Sequence, residues 1–140
     1  MIGVVNGPAL RHPDLPLLCD IVLGSDDCSF QDSAHFRGGM VPGDGVNVIF
    51  TLLMGMNRGR HFLYTAQTID ARQALDMGLV NELLPKDKVL ARGWEHARNL
   101  MKQSALNRKY TRWLLTEPLR RQMSELLGYG LAMEGLVICN

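Results

Sequence analysis

A β-branched run at residues 2–5, IGVV, stops at Asn6-Gly7-Pro8. It reads as a buried strand entering a turn. Pro13 and Pro16 flank Asp14 and Leu15, and proline is tolerated in a first helical turn, so a short helix is expected over residues 13–19. Residues 20–23 and 29–31 are two further short strand candidates. A loop containing Gly and Pro follows at 33–45. From Val46 the apolar positions take a helical period. One helix is expected over 46–53, with Gly55 at its end, and another from 57 or 58 to 65. A third is expected over 70–77, with Thr68 as its N-cap and Gly78 as its stop. Residues 79–84 read as a short strand or extended segment. Val89, Trp94, Ala97, Leu100 and Met101 then recur at helical spacing. Two more helices are expected, 107–116 and 118–137, divided by Pro118, which fits the start of the second.

Strands come first and helices follow, which suggests α/β or α+β. Two or three short strands alone would expose their edges, so the pattern reads as the end of a sheet whose other strands lie elsewhere. The length of 140 residues fits one domain or part of one. Such a chain can bury a sizeable core.

Charge narrows the partners. Fifteen Lys plus Arg stand against fourteen Asp plus Glu, which leaves no electrostatic footprint for nucleic acid or an anionic membrane. The cluster Arg58, Arg60 and His61 has no interleaved aromatics and reads as solvated surface. Cys19, Cys28 and Cys139 are odd in number and lack CxxC spacing, which fits a reduced, cytoplasmic compartment. Cys19 and Cys28, in apolar contexts, read as buried thiols. MIGVV has no basic n-region, and no apolar run approaches the ~20 residues of a membrane span.

Three positions invite chemistry. His35 lies in the loop, where a histidine either bonds backbone, sits in solvent, or serves as a general base with a pKa near neutrality. Asp44 lies nine residues on, between Gly43 and Gly45. The glycines and Pro42 between them can bring its carboxylate back to the imidazole, as in a His–Asp dyad. Asp44 is equally placed to cap the next helix. Glu134 continues an apolar stripe of Met123, Leu127 and Gly130 or Leu131. It is either the wet end of that stripe or a carboxylate held in a site. His12, His35 and Asp44 match no standard metal-ligand spacing, so no metal is expected.

The segments VVNGPA (4–9), CDIVLGS (19–25), VPGDG (41–45) and IDARQALDMGLVNEL (69–83) resemble the second half of the crotonase superfamily, the enoyl-CoA hydratases and isomerases. The resemblance covers nearly all of the chain and implies that a longer subunit begins upstream. Counting back from Pro42, His35 occupies the slot of the hydratases' water-handling glutamate. Asp44 stands between the glycines of the following turn. A histidine and an aspartate at these slots resemble the β-diketone hydrolase branch of 6-oxocamphor hydrolase type. Leu10-Arg11-His12-Pro13 replaces the usual run of glycines, and proline offers no N–H to a thioester oxyanion. Asp14 lies near the slot of a second hydratase glutamate, but N-terminal helix charge accounts for it.

The resemblance implies an α/β fold: a crotonase-like ββα spiral (its second half) at residues 1–85 and a helical, trimerising region at 86–140. It implies water-driven retro-Claisen cleavage of a cyclic β-diketone without cofactor or metal. His35, oriented by Asp44, would activate water or protonate the departing enolate, His12 would hold a substrate carbonyl, and Glu134 would be an assisting carboxylate. The implied partners are a small diketone and further copies of the chain, as a homotrimer or dimer of trimers at full length. The rival readings are an enoyl-CoA hydratase or isomerase, and an inactive truncated fragment. His35 and Asp44 are expected within ~4 Å of one another, with His12 and Glu134 facing the same cavity.

Overall fold

In the computed structural model, which describes residues 1–139, the strands are divided between two small sheets. The elements run β1 (Ile2–Val5), β2 (Pro8–Ala9), α1 (Asp14–Leu17), β3 (Ile21–Ser25), β4 (Ser29–Phe30) and a 3-10 turn (Phe36–Gly38). Then come α2 (Val46–Met54), α3 (Met56–Thr65), β5 (Ile69–Asp70), α4 (Ala71–Asp76), β6 (Glu82–Leu84), α5 (Val89–Met101) and α6 (Ala105–Ile138). One sheet has the order β1-β3-β6 and the other β2-β4-β5. The first is parallel throughout, with Ile2 opposite Ile21 and Leu23 opposite Glu82. In the second, β2 and β4 are parallel and β5 runs against β4. Parallel neighbours need a crossover. The first two passes, β1-β2 and β3-β4, each give one strand to each sheet before a helix returns the chain, whereas in the last α4 lies between β5 and β6.

The burial of β3 explains its composition. Val22, Leu23, Gly24 and Ser25 are all buried, as expected of a parallel strand covered on both faces. That is why the segment reads as a run and not as an alternation. The core continues through Phe30, Val46, Phe50, Phe62, Ile69 and Val80. The Phe50 and Phe62 rings lie 4.7 Å apart and tilted, a favourable aromatic geometry. Cys28 is buried, Cys19 only partly so, and both are free thiols. Burial, helped by the nearby Asp27 charge, pushes the Cys28 thiol up.

Two helix boundaries differ from the sequence expectation. The cap of α4 is Asp70, not Thr68. Asp70 Oδ1 accepts the Gln73 N–H at 2.8 Å, and Gln73 Oε1 accepts the Asp70 N–H at 3.0 Å. This reciprocal box satisfies two helix-end donors at once, which outweighs the lone hydroxyl of Thr68. Nor does Pro118 divide two helices. It lies inside one 34-residue helix, α6. Proline removes a single rung of the helix ladder, at a cost of about 3 kcal/mol. Leu114, whose carbonyl loses that rung, is exposed. The expected stripe on α5 is helical, yet Trp94, Leu100 and Met101 are exposed.

β6 and α5 are locked by charge. Arg92 donates to both oxygens of Glu82, at 2.7 and 2.9 Å, and His96 Nε2 lies 2.8 Å from Glu82 Oε1. The Arg92 hydrogen bonds, together with His96 and the charges of both, hold the Glu82 carboxyl down at about 2. A carboxyl depressed on folding stabilises the fold above its unfolded value of about 4.3 and loses that contribution as pH falls toward the folded value. Acid unfolding is therefore expected to steepen below about pH 4.3. In Arg92→Met that part of the pH dependence should shrink, as followed by circular dichroism. Equal acid curves for the two proteins would rule the lock out.

Candidate active site

The segment after β4 is pinned before it turns. Gln31 N–H donates to Ala9 O and Ser33 N–H to Leu10 O, both at 3.1 Å. The backbone of His35 is then fixed from its other side, since its carbonyl accepts from Gly38 at 2.7 Å and Met40 at 3.1 Å. His35 is thereby driven inward and is 2% exposed. Asp32, on the same segment, is 1% exposed. Its two oxygens lie 2.8 and 3.0 Å from His35 Nδ1.

The opposite ring nitrogen, Nε2, is 3.3 Å from Asp44 Oδ2. Asp44 reaches it because Gly45 takes the left-handed conformation, φ 105°, which glycine adopts without strain. Asp44 Oδ1 also accepts the N–H of Val46 at 3.4 Å. The carboxylate therefore helps start α2 with one oxygen and meets the imidazole with the other. The expected distance between His35 and Asp44 is met, but the expected orienter is not the residue on Nδ1. That place belongs to Asp32, because a three-residue span closes locally while Asp44 arrives from the far end of the loop.

His12 joins from the segment before α1. Its ring stands edge-on to His35, with centroids 5.9 Å apart. Its Nδ1 lies 3.9 Å from Asp44 Oδ2 and 3.8 Å from Asp14 Oδ1. His12 is exposed, whereas Asp14 is buried and its Oδ1 has no hydrogen-bond partner. Burial pushes the Asp14 carboxyl up, and the Asp44 and Asp32 charges add to this against a backbone hydrogen bond and His12. Helix charge at the start of a four-residue helix does not account for such a group. Asp14 belongs to the cluster, a correction to the sequence reading.

The electrostatics of His35 is a contest. Burial pushes its pKa down, as low dielectric disfavours the charged form. The hydrogen bond to Asp32 and its charge, then the Asp44 and Glu134 charges, outweigh burial and leave His35 above the ordinary imidazole value.

Glu134 arrives on α6 through a close backbone approach. A Cβ built on Gly43 would collide with the carbonyl of Gly130, and one built on Gly130 would collide with Gly43. Met123 and Leu127, on the same face of α6, pack over Gly45. The stripe expected from the sequence thus runs through Gly130, while Leu131 is exposed. Glu134 Oε2 is buried without a hydrogen-bond partner. A cleft of about 370 Å³ lies beside the loop, walled by Phe36, Val41, Asn47, Tyr64, Tyr129 and Met133. It is lined by chain neighbours of His35 and Glu134, and not by those residues or by His12. The expected common cavity is therefore not this one.

Sequence reasoning missed Asp32 and set Asp14 aside. No periodicity in the sequence marks Asp32; its three-residue spacing from His35 gains meaning only once the loop is folded. Among the described residues no three His, Cys, Asp or Glu side chains are placed to hold a metal ion. No described helix is long and apolar enough to cross a membrane.

The chain is similar to a β-diketone hydrolase from the cyanobacterium Anabaena sp. PCC 7120, solved with bound (S)-3-oxocyclohexyl acetic acid. The identity is 47% and the TM-score 0.94, over 97% of this chain and 54% of that one. It is also similar to an enoyl-CoA hydratase/isomerase of Mycobacterium paratuberculosis, at 25% identity and TM-score 0.91, over 99% of this chain and 55% of that one. Among curated proteins, the short-chain-enoyl-CoA hydratase of Clostridioides difficile is 30% identical over 80% of this chain and 72% of its own length. The 2,3-dehydroadipyl-CoA hydratase of Escherichia coli K12 is 29% identical over 96% of this chain and 51% of its own. The chain thus spans about half the length of most of these relatives. The fold is the crotonase-like α/β fold, as the high TM-scores to these structures show. The enoyl-CoA hydratase/isomerase family model matches from residue 2 to residue 134, and the chain belongs to that family, within the crotonase superfamily.

Proposed function

We propose that the protein hydrolyses a carbon–carbon bond of a cyclic β-diketone. The observation that carries this reading is the pair His35 Nε2 and Asp44 Oδ2, 3.3 Å apart, on an imidazole whose pKa is held up. A carboxylate that takes a proton stands next to an imidazolium that gives one. Retro-Claisen cleavage needs both. Water adds to one carbonyl carbon and gives up a proton. The bond to the carbon between the carbonyls then breaks, and its electron pair becomes the enolate of the second carbonyl. Protonation of that enolate completes a keto acid, so one water is consumed and nothing else is required.

Asp44 is the acceptor for the water proton in this reading, and His35 the donor to the enolate. His12, exposed beside both, would hold the attacked carbonyl as negative charge develops on it. Glu134 adds a carboxylate from α6. The similarity to the Anabaena hydrolase supports the reading. The alternative, hydration of an enoyl-CoA thioester, is supported by the names of the sequence relatives. Against it, a histidine stands at position 35, where the resemblance leads to an acid.

The test is turnover of monocyclic and bicyclic β-diketones against a short enoyl-CoA thioester. Keto-acid formation that is lost in His12→Ala/Asp44→Asn supports the reading. Hydration of the thioester without diketone cleavage replaces it with the alternative.

A further inference from the structure

Asp32 stands outside the set of residues to which the sequence assigned a role. Among the described residues it is the most deeply buried carboxylate, at 1% exposure. A carboxylate so placed needs a partner, since burying a lone charge is strongly unfavourable. Its partner is a single atom, His35 Nδ1, and both oxygens lie within hydrogen-bond distance of it. We propose that Asp32 is the positioning residue of this site. Its carboxylate takes the Nδ1–H of His35 and so fixes the ring with Nε2 turned to Asp44.

The inference rests on the proposed hydrolysis for its catalytic meaning, but its geometry stands separately. The imidazole lies between two carboxylates from different parts of the chain. One is local and nearly sealed from water, while Asp44 is partly accessible. The groups around the ring are Asp32 on its own segment, Asp44 before α2, His12 before α1 with Asp14 behind it, and Glu134 on α6. Of these only Asp32 engages Nδ1. If Nδ1 carried no proton, its lone pair would face two carboxylate oxygens, an arrangement the buried site disfavours. With the Nδ1 proton held, every change of protonation on the ring occurs at Nε2, on the side of Asp44 and His12. Asp32 touches no reacting atom in this scheme.

The experiment is nitrogen-15 NMR of the histidines across pH in the full chain, with His35 assigned by its loss in His35→Gln. The wild-type ring should keep its Nδ1 proton through the titration and lose the Nε2 proton, with a midpoint above about 6.5, the ordinary value. In Asp32→Asn the midpoint should fall to that value or below, and the Nδ1 resonance should move. If the protein cleaves a β-diketone, the alkaline limb of its rate should fall with it, and kcat should drop about 10²-fold with KM little changed. Overturning results are a wild-type neutral ring that carries its proton on Nε2, or an Asp32→Asn ring that titrates as the wild type does. Should Asp32→Asn fail to fold, the wild-type tautomer alone decides. A ring held as described in a chain that cleaves no diketone sinks the hydrolysis reading and leaves Asp32 in its role. Cleavage with an unmoved alkaline limb does the reverse.

Discussion

His35→Gln is expected to lower β-diketone cleavage by about 10²–10⁴-fold, the usual contribution of a positioned acid or base. The loss should fall on kcat, because glutamine keeps polar contacts of similar reach but cannot deliver a proton to an enolate. The same substitution should also weaken the fold. Asp32 would keep its buried carboxylate and lose the cation beside it. Removing one partner of a buried ion pair typically costs about 3–5 kcal/mol. The two effects separate in the double variant His35→Gln/Asp32→Asn, where a neutral amide pair replaces the ion pair. Stability should largely return while activity stays low. Rates and denaturant midpoints of the three proteins are the measurements. Full activity in His35→Gln would remove this residue from the chemistry. Equal stability of the single and double variants would remove the buried pair from the fold's energetics.

The second large effect is expected at Gly43. Alanine there would drive its methyl group into the backbone of Gly130. Neither partner is a side chain that can rotate away, so α6 must lift from the loop. Overpacking of this kind costs typically about 1–3 kcal/mol, and here it should also carry Glu134 away from His35. Gly130→Ala should have the same effect from the other side, because its added methyl group meets Gly43. Gly128→Ala is the control. It lies two residues from Gly130 on the same helix, and its added methyl group meets nothing within 4 Å. Replacing a helical glycine by alanine should stabilise by about 0.5–1 kcal/mol. Thermal unfolding of the three variants checks the set. Gly43→Ala melting with the wild type would mean that α6 does not sit on this loop.

Much of the architecture could be read from the residues, for local reasons. β3 announces itself as an apolar run because it is a buried parallel strand, and α2 as a periodic segment bounded by Gly45 and Gly55. The pairing of His35 with Asp44 was reachable because the glycines and Pro42 between them permit a return of the chain, and because the resemblance to the β-diketone hydrolases put a histidine and an aspartate at these two slots. Asp32 was not, because no periodicity marks a buried carboxylate, and only the arrival of the chain around it reveals what neutralises it. Asp14 was hidden by its position, which a helix start explains equally well. Pro118 was misread because the rule about proline concerns one hydrogen bond, whereas a long helix can lose a rung where water replaces it. The exposed Trp94 and Met101 show a further limit. Amphipathic spacing tells that a face is apolar, not whether this chain covers it.

The long C-terminal helix is tied to the body in two unlike ways. Near its start, Arg112 Nε donates to Asp20 Oδ2 at 2.9 Å, in a partly exposed ion pair. Farther on, the tie is the contact of two glycine backbones. Dissolved salt screens the first over a Debye length of about 8 Å at physiological ionic strength and leaves the second untouched. The two stretches of α6 are therefore expected to differ in lifetime. Amides before Pro118 should exchange through small local openings, the more so as salt is added. Those around Gly130 should exchange only when the glycine loop itself comes apart. Salt would loosen one end of the helix while the other end keeps Glu134 in place.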